Sequence, residues 1–322
     1  MLWWEILLII IGVILFFVVI HYIIYFLAGK KYIELITRCD SKENSISKNM
    51  KVSYYDRGPL RKMNEEGHEY LKTLEIEEVY MTSFDGLKLH AYVLRKPGTK
   101  SNKYLLGIHG FRSAPFHEFA HYAKYYIDLG FNLVLPHQRG HYKSEGQYIS
   151  MGMNEKVDVK DWCHFLVEKY GENIEILMHG LSMGGATVCM ASNLDLPPQV
   201  IGIIADCGYY SYKVQSRFIL KNMLKVDLKH LINFISKFIK KRTGVDLEAP
   251  TALDAVKETN VPIMFAHGEK DEIVPFDNVL KLYEACASRK TLLTNKEANH
   301  VETMARDPEK YFQTIVEFFN IK

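Results

Sequence analysis

Ile174-Glu175-Ile176-Leu177-Met178-His179-Gly180-Leu181-Ser182-Met183-Gly184-Gly185 is the stretch whose reading decides the fold. An apolar run of strand type stops at Gly180, a serine stands among small residues, and a helix-compatible segment follows over residues 186–192. Gly180-Leu181-Ser182-Met183-Gly184 fits G-x-S-x-G, a sharp strand-to-helix turn that lifts the serine Oγ clear of a sheet. Glycines flank such a serine because the backbone is strained and a neighbouring segment passes closely. An ordinary glycine-rich turn is the competing reading, and the flanking strand and helix argue against it.

Outward from the elbow, short apolar runs alternate with helical periods. Residues 76–82 and 87–94 flank the turn pair Asp85-Gly86 and read as a β-hairpin. Strands follow at 103–108, 131–135, 174–178, 200–205, 261–266 and 290–294, with helices at 116–129, 155–170, 276–288 and about 301–319. Such alternation implies a mainly parallel sheet covered on both faces. It lapses over residues 209–250, a basic amphipathic stretch with Leu228, Leu231, Ile232, Ile235, Phe238 and Ile239 at helical spacing, which reads as an inserted cap.

The 322 residues suffice for one large domain plus appendages, and 12% aromatic content speaks against disorder. A net charge of +2 points neither to nucleic acid nor to an acidic partner. Five scattered cysteines lack C-x-x-C spacing and read as buried free thiols.

Residues 2–28 hold one charge, Glu5, with Trp3 and Trp4 at one end and Tyr22 and Tyr25 at the other, the pattern of a membrane-spanning helix with interfacial aromatics. A cleaved signal peptide fits less well, because no Lys or Arg precedes the run. The expected organisation is an anchor over 1–29, a polar connector over 30–75 with a loop at 40–51 and a short charged helix within 59–71, and a catalytic domain over 76–322. Lys30, Lys31, Arg38 and Lys42 after the span favour a cytoplasmic domain by the positive-inside rule, as do free cysteines.

A serine hydroxyl is a poor nucleophile near neutral pH and needs a base, itself oriented by a carboxylate. The strand at 261–266 runs into Gly268-Glu269-Lys270-Asp271, and the strand at 290–294 runs towards Asn299-His300. The order Ser182, Asp271, His300 is nucleophile, acid, base. Asp206, which also ends a strand, is the alternative acid.

With Ser83-Phe84-Asp85-Gly86-Leu87-Lys88-Leu89, His109-Gly110-Phe111 and Arg139-Gly140-His141 at expected strand ends, the chain from about residue 76 resembles an α/β-hydrolase. More narrowly it resembles membrane-anchored bacterial hydrolases labelled serine aminopeptidase, acylaminoacyl-peptidase-like or monoacylglycerol-lipase-like. The resemblance implies an α/β-hydrolase fold with an eight-stranded, mostly parallel sheet. It also implies an oxyanion hole from the backbone N–H groups of Phe111 and Met183, an acyl-enzyme on Ser182, and no cofactor or metal. The expected substrate is a carboxylic ester, lipid-like or monoacylglycerol-like; a serine peptidase and a non-catalytic binding module are the alternatives.

His117-Glu118-Phe119-Ala120-His121 matches the H-E-x-x-H zinc helix, but it falls where the first crossover helix belongs and is expected to hold no metal. His109 is expected to pack its loop, and Arg139 to fix its loop by hydrogen bonds or, alternatively, to contact substrate. The cationic face of the cap is either simply solvated or set against anionic lipid.

Overall fold

The computed structural model describes residues 2–39, 58–225, 227, 229–249 and 251–321. Helices α1 (Trp3–Ile36) and α2 (Gly58–Leu71) precede the hairpin of β1 (Glu75–Thr82) and β2 (Lys88–Arg95). The alternating part follows as β3 (Lys103–Ile108), α3 (Pro115–Asp128), β4 (Phe131–Pro136), α4 (Glu155–Tyr170), β5 (Glu175–Leu181), α5 (Met183–Ala191) and β6 (Val200–Asp206). Then come α6 (Tyr212–Leu224), α7 (Lys229–Thr243) and α8 (Ala252–Val256). The chain closes with β7 (Ile263–Gly268), α9 (Asp277–Ala285), β8 (Lys290–Asn295), α10 (Thr303–Arg306) and α11 (Pro308–Phe319).

The strands form one eight-stranded sheet in the order β1-β2-β4-β3-β5-β6-β7-β8. Only β2 runs against its neighbours, pairing antiparallel with β1 and β4, while the remaining pairs are parallel. This is the α/β-hydrolase fold. Side chains alternate across the sheet with period two. Leu105, Leu177, Ile204 and Met264 face α3 and α11, whereas Leu106, Met178, Ile203 and Phe265 face α4, α5 and α9. Each central strand is therefore buried on both sides, as its unbroken apolar run requires.

Three elements depart from the sequence expectation. The helix expected over residues 1–29 continues unbroken to Ile36, so residues 30–36 are helical rather than connector. The cap is two helices, because Lys225 takes a left-handed conformation at φ +58° that ends α6. The closing helix is also split: Pro308 has no N–H to continue α10, and the Asp307 carboxylate accepts the Lys310 N–H at 3.1 Å to start α11. The short charged helix is present as α2, whereas the loop at 40–51 and Leu228 of the apolar stripe lie outside the described residues.

The outer part of α1 is long and apolar enough to cross a membrane, and none of its most apolar stretch is buried in the protein. Its inner part packs on the cap. Tyr25 meets Phe234 with ring centroids 5.3 Å apart and Phe26 meets Phe238 at 5.7 Å. A Cβ on Gly29 would lie 2.6 Å from the Phe238 ring, so glycine permits this crossing.

Arg139 is buried and joins the hairpin turn to α4, beside a second link in which the Asp161 carboxylate accepts the Phe84 N–H at 3.2 Å. Its guanidinium donates to Asp158 of α4 at 2.6 Å through both Nε and Nη2, and to Asp85 of the hairpin turn at 2.8 and 3.1 Å. These contacts of Arg139 are structural, as expected for a loop-fixing residue. Removing one partner of a buried pair leaves an uncompensated charge, typically at a cost of about 3–5 kcal/mol. Arg139→Ala is accordingly expected to lower the thermal unfolding midpoint strongly. Arg139→Lys, which cannot form the paired fork, should fall between it and wild type.

Candidate active site

Ser182 sits at φ +56°, ψ −114° between β5 and α5, a conformation unfavourable for a residue with a Cβ. Glycines make it possible by allowing backbone to lie on backbone. A Cβ on Gly180 would lie 2.1 Å from Gly184 O, one on Gly184 2.0 Å from Ile108 O, and one on Gly185 2.6 Å from Asp206 O. The Ser182 N–H donates to Asp206 O at 2.9 Å, which ties the turn to the end of β6.

His300 lies after β8, with its Nε2 2.9 Å from Ser182 Oγ and its Nδ1 2.7 Å from Asp271 Oδ2. The structure thus brings Asp271 and Ser182, 29 and 118 positions earlier in the chain, onto His300. Asp271 is fully engaged. Oδ1 accepts the N–H groups of Ile273 and Val274 at 2.8 and 2.9 Å, and Oδ2 also lies 3.1 Å from His267 Nε2. Burial opposes ionisation of Asp271, yet His300 and His267 beside it hold its carboxyl well below the usual carboxylate range. Burial likewise disfavours a charged His300, but the adjacent Asp271 outweighs it and raises the imidazole above its ordinary value.

Asp206, the alternative acid, has no hydrogen bond to His300. Its Oδ2 accepts from Tyr311 Oη at 2.9 Å, and Tyr311 Oη in turn lies 3.2 Å from His179 Nε2. Burial pushes the Asp206 carboxyl up to about 6. It lies beneath the site, in a polar seam among aromatic side chains, and does not orient the imidazole.

Phe111, one of the two expected oxyanion donors, follows β3 in a loop that passes against the elbow. A Cβ on Gly110 would lie 3.4 Å from both Ser182 Cβ and Leu181 O. Met183, the other, contributes the first amide of α5, a position with no intrahelical acceptor. The loop is held by residues that the sequence reading left outside the site. Glu118 is buried and its Oε2 accepts the Gly110 N–H at 2.6 Å. An acid in the first turn of the helix after this loop was the only available signal, and the H-E-x-x-H match obscured it.

Two neutral histidines staple the same region. His109 Nδ1 donates to Gly110 O at 2.8 Å while Nε2 accepts the Gln138 N–H at 3.1 Å. His141 Nδ1 donates to Arg139 O at 2.9 Å while Nε2 accepts the Arg112 N–H at 3.1 Å. Burial pushes His109 down to about 4 and His141 well below its ordinary value, which preserves the acceptor nitrogen each staple needs. His109 therefore packs its loop, as its position after β3 suggested. Among the described residues, His117 and His121 do not converge with a third metal-ligating group. Among the described residues, the one group with metal-holding proximity is Cys207, Asp271 and His300, part of which is the Asp–His hydrogen bond itself.

The fold, the strained serine and the hydrogen-bonded Ser–His–Asp array define an α/β-hydrolase of the serine type. Comparison with known proteins agrees and narrows the class: the chain belongs to the prolyl oligopeptidase family, whose pattern matches residues 117–322. The chain is 25% identical over 199 residues to the uncharacterized protein YqkD of Bacillus subtilis, covering 62% of this chain and 65% of YqkD, a little under two thirds of its length. It is 25% identical over 249 residues to protein bem46 of Schizosaccharomyces pombe, covering 76% of this chain and 77% of bem46. Among solved structures, the esterase Pf2001 of Pyrococcus furiosus superposes with a TM-score of 0.64 at 22% identity, over 78% of this chain and 92% of the esterase. The acylaminoacyl peptidase of Pyrococcus horikoshii superposes with a TM-score of 0.56 at 17% identity, over 80% of this chain and 43% of the peptidase. At these identities the superpositions describe the shared fold.

The different surroundings of the two aspartates yield a direct comparison. Asp271→Asn removes the charge that raises His300, so the imidazole pKa read by nuclear magnetic resonance should fall. Asp206→Asn should move it less, because Asp206 acts on His300 only at a distance.

Proposed function

We propose that this chain is a serine esterase in which Ser182 is the nucleophile, His300 the general base and acid, and Asp271 the residue that orients and charges the imidazole. The observation that carries this reading is the imidazole held between Ser182 Oγ and Asp271 Oδ2, at 2.9 and 2.7 Å. In the first step Ser182 Oγ attacks the ester carbonyl as its proton passes to His300 Nε2. The tetrahedral oxyanion is met by the N–H groups of Phe111 and Met183. Collapse expels the alcohol, which takes the proton from His300. Water, deprotonated by His300, then attacks the acyl-enzyme, and the acid leaves as Ser182 regains its proton.

The likeness to an esterase fold supports an ester substrate. So does the cap, whose described acids Asp227, Asp246 and Glu248 are each paired with a cation rather than gathered as a clamp for a substrate α-amine. Membrership of the prolyl oligopeptidase family favours the second reading, a peptidase built on the same three residues. A lipid-like ester suits a site attached to the long apolar helix α1, with the cap against the bilayer surface. Three cap cations are spoken for: Lys213 pairs with Glu248 at 2.9 Å, Arg217 with Asp227 at 2.7 Å and Lys240 with Asp246 at 2.6 Å. Lys237 and Lys241 have no ion pair among the described residues and are the better candidates for anionic headgroups. The positively charged flank of α1 favours a cytoplasmic domain.

Wild type is expected to label with a fluorophosphonate probe and Ser182→Ala to lose that label. Equal labelling of both would remove Ser182 from its role. On paired substrates, p-nitrophenyl acyl esters should be turned over faster than aminoacyl p-nitroanilides; the reverse order would favour the peptidase. The base must be neutral to accept the serine proton, so activity is lost as pH falls through the raised pKa of His300. The acid limb of kcat/KM for the ester should therefore lie above 6.5, the ordinary imidazole value, and Asp271→Asn should shift it downward.

A further inference from the structure

The last four carbonyls of a helix have no partner within it. At the inner end of α1 all four are accounted for. Ile33 O accepts from Thr37 Oγ1 at 2.7 Å and Glu34 O from the Thr37 N–H at 3.4 Å, both local contacts. Ile36 O accepts the Ile149 N–H at 2.7 Å. Leu35 O accepts from Arg112 Nη1 at 3.1 Å, and the same Nη1 reaches Thr37 O at 3.2 Å. A guanidinium at a helix C-terminus also meets the negative end of the helix dipole, so this contact is favourable beyond its geometry.

Arg112 is the residue after Phe111. Its own backbone is constrained twice more: φ is +52°, unfavourable for a side chain with a Cβ, and its N–H is held by His141 Nε2 at 3.1 Å. On the other side of Phe111, the Gly110 N–H is held by Glu118. The Phe111 amide therefore lies between a clamp on Gly110 and two on Arg112, of which the guanidinium contact is the one made to the end of the apolar helix.

We infer that Arg112 is a positioning residue that makes the inner end of α1 part of the oxyanion hole, so that the docked anchor aims the Phe111 N–H. This rests on the serine hydrolase reading above. Arg112 itself touches neither nucleophile nor base. It acts by anchoring the chain one residue beyond Phe111, and its side-chain anchor lasts only while Leu35 O and Thr37 O are in place. Displacements of about 1 Å of a catalytic donor are enough to change a rate by about 10². An oxyanion donor acts on the transition state rather than on the bound ester, so the loss falls on kcat and leaves KM in place.

The test uses the full chain in lipid nanodiscs with p-nitrophenyl butyrate as substrate. Arg112→Ala is expected to lower kcat by about 10- to 100-fold with KM within about two-fold of wild type, and to slow fluorophosphonate labelling by the same factor. Arg112→Lys keeps a cation that can reach one carbonyl, and should recover part of both rates. Should Arg112→Ala not fold, the order wild type, Arg112→Lys, Arg112→Gln in kcat carries the same expectation, with thermal midpoints measured alongside. An unchanged kcat, or a loss with no recovery by lysine, would overturn the inference. So would a raised KM at constant kcat, which would make Arg112 a substrate contact. Ser182→Ala run in parallel separates the two levels: activity surviving in that variant defeats the serine hydrolase reading, whereas a dead Ser182→Ala beside a fully active Arg112→Ala defeats only the role of Arg112.

Discussion

The structure depends on one close approach of backbone to backbone around Ser182. The serine stands in a conformation that ordinary residues avoid, and it stays there because three chain segments close in on it. The end of β3 lies against Gly184, the end of β6 against Gly185, and Gly180 against the first turn of α5. No residue with a Cβ fits at those points without displacing main chain. The parallel sheet supplies the rigid frame for this contact, since β3, β5 and β6 are neighbours in it and end at the same edge. Strain at the turn is thereby held by packing that extends through both layers of the core.

Around this turn, polar groups are kept neutral or fully paired according to what each must do. His109 and His141 are buried without a carboxylate and remain neutral, so each can donate through one nitrogen and accept through the other. His300 is equally buried, but Asp271 beside it favours the charged form, the state a general base must reach in the proposed mechanism. Burial costs the same kind of energy in all three cases, and the neighbouring carboxylate decides the outcome. Asp206 illustrates the converse: close to the site and buried, it lacks a cationic partner, and its carboxyl is raised to about 6.

The long helix α1 does more than lead into the domain. Its outer part exposes an apolar surface that no part of the described protein covers, while its inner end is threaded into the loops that carry Arg139, His141 and Arg112. Gly29 lets it cross Phe238 of the cap closely, and Arg38 and Cys39 continue by hydrogen bonding to the loop after β4. Cap, helix and the loop after β3 are consequently one packed unit. The proposed lipid-facing role of the cap and the proposed aiming of Phe111 both depend on that unit.

Much of this was legible in the sequence, for particular physical reasons. Strands buried on both faces are read from continuous apolar runs, the elbow from glycines that only close packing demands, and the order Ser182, Asp271, His300 from their positions after successive strands. The apolar span was legible because a lipid-facing helix excludes charge over its whole length. The helix ends were less so. A cap as long as residues 209–250 reads as one amphipathic segment until Lys225 is seen in a left-handed turn, and α1 ends at Ile36 rather than 29, where two of its last four carbonyls are capped by groups far away in the chain. By itself the sequence determined the fold class, the anchor-like helix, and Ser182 and His300 with two candidate acids, since local periodicity and strand-end position encode them. Only the tertiary structure decided that Asp271 rather than Asp206 reaches the imidazole, that Glu118 holds an amide, and that Arg112 caps α1. Those assignments rest on which side chains cross gaps between segments distant in sequence, and no local pattern carries that distance.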